Sequence, residues 1–200
     1  MLIRSAFSLT LIVVISAGPA SAKQQAKQTP ESRFASCPGA AALKEAANVE
    51  WTEQPSRLED HESLRKRLGV PMPVGSTRIS LWTFGKHHTS VSYSLIVVRD
   101  EKGRWHTNGI GEEGPGLLPI EPRTLKIINR ALSPEQGRAL DQALADQCLY
   151  ASPTFQRDPG IVSGGAVQTF EVETRTRRWV SSWFGVRTPQ QDAVMKLLAD

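Results

Sequence analysis

Histidine is the side chain that changes charge near neutral pH, and His87, His88 and His106 fall within one stretch of this 200-residue chain. Gathered at one end of a sheet, they would have the types needed for a general base or a metal site, hence for hydrolysis. His87 and His88 are adjacent, so on an extended chain they point to opposite sides. His106 comes opposite Val98 if the intervening turn closes a hairpin. Histidines in turns more often lack any catalytic partner, so an envelope hydrolase using His87, His88 or His106 is the second reading here.

Arg175-x-Arg177-Arg178-Trp179, followed by Trp183 and Arg187, is the other constellation with chemistry in it. Arginine forks and tryptophan faces hold anionic or sugar ligands by paired hydrogen bonds and stacking. The competing reading pairs these arginines with Glu171 and Glu173 across strands and buries the tryptophans. If Phe184 and Val180 fill the core, the face bearing Trp179 and Trp183 needs its own cover, and the last helix can supply it through Val194, Leu197 and Leu198. Without that cover, Arg175, Arg177, Trp179 and Trp183 would form a basic-rimmed binding patch.

Other motifs fail on context. Gly109-Ile110-Gly111-Glu112-Glu113-Gly114 has the G-x-G-x-x-G spacing, but Pro115 and Pro119 follow where a phosphate-binding helix should begin. Glu112 and Glu113 would also repel a phosphate. His61-Glu62-Ser63-Leu64-Arg65 begins like a zinc-binding H-E-x-x-H and puts Arg65 where the second imidazole belongs. Ser163-Gly164-Gly165 lacks the strand–turn–helix setting of a serine nucleophile. No cofactor and no metal are implied, and the catalytic residues of any reaction stay unassigned.

These residues must be held by a β-rich frame. Thr89–Arg99 alternates Val91, Tyr93, Leu95 and Val97 on one face of a strand, and turn residues 100–103 lead into a return strand over 104–111. Strands are also expected at 76–85, at 124–131 with its alternation broken by Ile127 and Ile128, and in a hairpin over 170–184. Helices are expected over 38–48, over 57–68 behind a Ser56–Glu59 capping box, and from Ser133 and Thr188, each followed by Pro and a Gln three residues on. Leu140, Leu144 and Cys148 share a face of the Ser133 helix, and 151–167 reads as a connecting loop. The pattern is α+β: a mainly antiparallel sheet built from hairpins with three to four helices packed on it.

Residues 1–22 read as a signal peptide: Arg4, an apolar run to Ala17, Gly18-Pro19, and cleavage behind Ala20-Ser21-Ala22. That run is shorter than the ~20 residues needed to span a bilayer, so the mature chain carries no transmembrane segment. Residues 23–36 form a flexible leader and 37–200 a single domain. Loss of Arg4 lowers the formal charge of +4 by one, too little for nucleic acid to be the partner. Export favours a Cys37–Cys148 disulfide over a catalytic thiol or two free thiols, and two cysteines allow one pairing. The leading expectation is a periplasmic or secreted, non-catalytic binding or accessory module of the cell envelope, whose partner is an anionic envelope component or an envelope protein.

Overall fold

The computed structural model describes residues 36–38, 56–86, 88–125, 127–151, 155–157 and 165–199. The expected signal peptide, nearly all of the leader and the alanine-rich helix over 38–48 lie outside these residues, as does His87. Helix α1 (Leu58–Arg67) is followed by strands β1 (Thr77–Lys86), β2 (Thr89–Arg99), β3 (Trp105–Pro115), β4 (Arg123–Thr124) and β5 (Ile128–Ala131). Helices α2 (Pro134–Ala145) and α3 (Gln147–Tyr150) come next, then β6 (Phe155–Arg157), β7 (Ala166–Glu173), β8 (Arg178–Phe184) and α4 (Pro189–Ala199). The strands form one sheet ordered β4-β3-β2-β1-β7-β8-β6, with β5 also on β3. All described pairings are antiparallel except β6 with β8. This is a mainly antiparallel sheet with helices on it, an α+β arrangement.

The sheet is buried on both faces. On one face Ile79, Leu81, Leu95, Val97, Phe170, Val172 and Trp183 meet Leu140 of α2, Leu149 of α3, and Val194 and Leu198 of α4. Each such side chain contributes about 1.5–3 kcal/mol on leaving water. On the opposite face Ser94, Ile96 and Ile110 are buried, and α1 lies over β2 there. Two-sided burial explains why β2 is apolar from Leu95 to Val98 without a break.

Turn chemistry sets the hairpin ends. Gly103 takes φ 77°, and the Asp100 carboxylate accepts the backbone N–H groups of Lys102 and Arg104 at 2.9 and 2.8 Å. Ser133 and Thr188 both form reciprocal caps with Gln136 and Gln191. Cys37 and Cys148 are joined, 111 residues apart in sequence.

Several expectations need correction. The Ser56–Glu59 capping box does not form: Arg57 is the N-cap residue and has no side-chain cap bond. Ser56 Oγ instead donates to Glu171 Oε2 at 2.7 Å, because that buried carboxylate needs donors. The strand expected over 124–131 is two short strands. Thr124 stands opposite Glu112 and Ile128 opposite Gly109, so four steps on one strand face three on the other. One residue more lies between these points than on β3, so a single alternation cannot run through 124–131. The helix begun at Ser133 ends at Ala145. Asp146, extended at ψ 116°, caps the short α3 that carries Cys148. The connection over 151–167 holds β6, too short to show periodicity. Finally, β3 runs on to Pro115, because β2 offers a pairing partner for each residue back to Thr89.

Candidate functional site

The sheet separates the histidines. His106 pairs with Val98 near one end of β2, whereas His88 precedes Thr89 at the other. Eight residue steps along the strand between Val98 and Ser90 amount to about 26 Å at ~3.3 Å per residue. His106 Nε2 lies 3.1 Å from Asp100 Oδ2, which also accepts Arg104 Nε at 2.9 Å. The Arg104 backbone N–H, with help from the His106 and Arg104 side chains, holds the Asp100 carboxyl well below its usual range. Among the described residues no group of three or more His, Cys, Asp or Glu side chains is placed to hold a metal ion.

The structure does contain a serine–histidine pair, and its histidine is the first residue of the H-E-x-x-R stretch on α1. His61 and Arg65, four apart on α1, both reach Ser94 on β2. His61 Nδ1 is 2.7 Å from Ser94 Oγ, and Arg65 Nε donates to the same oxygen at 2.8 Å. With Arg65 donating, the Ser94 hydroxyl proton turns to His61 Nδ1, so the imidazole is the acceptor. Burial, reinforced by Arg65 and Arg78, lowers the His61 pKa to about 3 and keeps the ring neutral. Ser94 is fully enclosed and His61 is 1% exposed, set edge-on to Trp82 at 5.3 Å. No substrate reaches that hydroxyl.

Arg65 completes the same network. Nη1 donates to Asn108 Oδ1 at 2.5 Å and the Pro71 carbonyl at 3.2 Å. Nη2 donates to the carbonyls of Asn108 and Ser94 at 2.9 and 3.3 Å. All five N–H donors are therefore used, on neutral acceptors. The guanidinium pins α1 to β2, β3 and the following segment.

The glycines of the G-x-G-x-x-G stretch have a packing role. Gly109 and Gly111 sit on β3 beside the ring of Tyr93, which occupies the space that side chains at either position would need. Gly111 pairs directly with Tyr93. The aromatic ring closes over the bare strand, and no helix or phosphate is involved.

The tryptophans face the core. Trp183 is 1% exposed and donates through Nε1 to Gln168 Oε1 at 2.7 Å, while Val180 and Phe184 are only partly buried. The sequence-level choice of Phe184 and Val180 as core filling is thus reversed, and α4 supplies the cover for the tryptophan face. Trp179 packs edge-on against Tyr150 at 5.5 Å, and the Arg177 guanidinium sits 4.5 Å from the Tyr150 ring centre. Arg178 pairs with buried Glu171 at 2.8 Å, and Glu173 pairs with Arg78. Arg175 and Arg177 stand exposed on the β7–β8 turn, whereas Trp179 is partly buried and Trp183 is buried farther along β8, opposite Gln168.

Arg175 opens onto a cleft of about 920 Å³ at the end of the sheet where the β2–β3 and β7–β8 turns meet the start of β1. It is lined by Ser76 and Arg78, by a wall formed by the segment 72–75, by Glu62 of α1 and by residues of the two turns. Gly75 lets that wall pass against the backbone of Arg99, since a Cβ there would lie 2.5 Å from the Arg99 carbonyl oxygen. Sequence reasoning singled out Arg175 but missed Glu62, Arg78 and Lys102. Their placement is topological: antiparallel pairing brings both hairpin turns to the start of β1, which holds Arg78, and α1 docks Glu62 there. No family model, curated protein or solved structure matches the chain.

Proposed function

We propose that the chain is an exported, non-catalytic binding or accessory module of the cell envelope, making contact through the turn end of its sheet. The observation that supports this over a hydrolase is the separation of His106 from His88 by the length of β2, together with enclosure of the Ser94–His61 pair. Arg175 and Arg177 are the contact residues of this reading, and Trp179 and Trp183 are the packed face of the strand that follows their turn. Export is supported by the apolar run before Ala20-Ser21-Ala22 and by the Cys37–Cys148 bond, and among the described residues no helix is long and apolar enough to cross a membrane. The mature protein then begins at Lys23, which N-terminal sequencing of a periplasmic fraction checks.

The functional test is retention of the mature protein on isolated anionic envelope material at several salt concentrations. Exposed charges are screened within about 8 Å at physiological ionic strength, so retention should weaken as salt rises. Arg175→Ala with Arg177→Ala should reduce it further. Salt-independent retention, or a double variant that binds as well as the parent, would overturn the assignment of this surface.

A further inference from the structure

We propose that the cleft at the turn end binds short peptides with free termini, taking the carboxylate at Arg175 and the ammonium group at Glu62 and Glu101. This rests on the reading of that end as the contact surface and goes further by naming the ligand.

The argument begins with which charges are already used. Arg78 is paired with Glu173 and Arg104 with Asp100. Arg175, Lys102, Glu62 and Glu101 line the same cleft, are exposed, and carry no ion pair among the described residues. They are not evenly spread. Glu101 and Lys102 belong to the β2–β3 turn, and Glu62 to α1, which packs on β2. Arg175 belongs to the β7–β8 turn, across the start of β1. Set against Lys102, the two glutamates leave the β2–β3 side one carboxylate in excess, and Arg175 is the cation without an ion pair among the described residues on the other. A pure polyanion would meet Glu62 and Glu101, whereas a zwitterion satisfies both ends.

Size and lining agree with a peptide. The two turns are three strand spacings apart in the sheet order, about 14 Å at ~4.8 Å each. An extended chain covers ~3.5 Å per residue, so four residues bridge that gap. The wall between them is apolar: Met72 and Pro73 line it, and Val74 stands 90% exposed at its lip. A peptide side chain laid there covers apolar surface that the fold leaves in water.

The test is calorimetric titration of the mature protein with tetra-alanine bearing free termini, beside its N-acetylated and C-amidated forms. Free-ended tetra-alanine should bind, and each cap should weaken it about tenfold, the value of one lost charge-assisted contact. Arg175→Ala should weaken the free peptide similarly and abolish the effect of C-amidation. Glu62→Gln with Glu101→Gln should do the same for N-acetylation. All three positions are exposed, and a thermal melt establishes that each variant folds. No binding at millimolar peptide, or equal binding of free and capped forms, overturns the peptide assignment. If peptide binding fails while salt-sensitive envelope retention persists, the ligand is wrong and the module reading stands. If peptide binds and envelope retention is absent, the converse holds.

Discussion

Tyr93 and Gly111 are directly paired across β2 and β3, and the tyrosine ring fills the volume a Gly111 side chain would take. Gly111→Ala would force the ring or the Ser92 backbone to move, and overpacking of this kind costs about 1–3 kcal/mol. Gly114 has open space around its Cβ position and no positive φ, so Gly114→Ala should be within about 0.5 kcal/mol of the parent. Urea unfolding of the two variants compares them. Equal stabilities would mean that the glycines do not make room for Tyr93.

Arg65 satisfies five acceptor contacts from inside the protein. Arg65→Ala should lower stability by about 3 kcal/mol, because several buried acceptors lose their donors at once. Arg65→Lys keeps the charge but not the fork, and should recover only a minor part of that loss. Chemical denaturation reads both. A lysine variant as stable as the parent would show that charge alone holds α1.

Acid should loosen the fold through His61. Its pKa is 6.5 when unfolded and about 3 when folded. Between those values the unfolded chain binds the extra proton, so stability rises with pH across the window and falls as pH drops from about 6.5 toward 3. The slope from this one group reaches at most about 1.4 kcal/mol per pH unit. Asp100, whose carboxyl is depressed in the fold, acts in the same direction only below about pH 4. Stability measured between pH 4 and 6.5 for the parent and for His61→Gln isolates the histidine. Parallel profiles would remove it as the cause.

Reduction of Cys37–Cys148, or its replacement by two alanines, should lower Tm by several degrees without altering envelope retention. The bond closes a loop spanning 111 residues, for which chain entropy gives about 4–5 kcal/mol as an upper figure. Each ~1 kcal/mol moves Tm ~2–4 °C in a domain of this size. Differential scanning calorimetry with and without reductant makes the comparison. An unchanged Tm would show that the staple adds nothing to the fold.

Local chemistry was legible in the sequence. Alternation in Thr89–Arg99, the Asp100 and Gly103 turn, and the Ser133 and Thr188 caps act over a few residues, so residue type and spacing are enough to specify them. The break at Ile127 falls where the register between the two short strands gains a residue over β3. The single disulfide pairing followed from there being two cysteines. What only the tertiary structure decided is which face a side chain meets and what lies across from it. Alternation on β8 separates Trp179 and Trp183 from Phe184, yet it does not say which set faces the core, because both sets are apolar. Arg65 looked like a missing zinc ligand, since its five acceptors come from Pro71, Ser94 and Asn108, brought close by the pairing of β2 with β3 and the docking of α1. The cleft has the same origin. Glu62, Lys102 and Arg175 are far apart in the chain, and strand pairing together with the docking of α1 on β2 brings them to one end of the sheet.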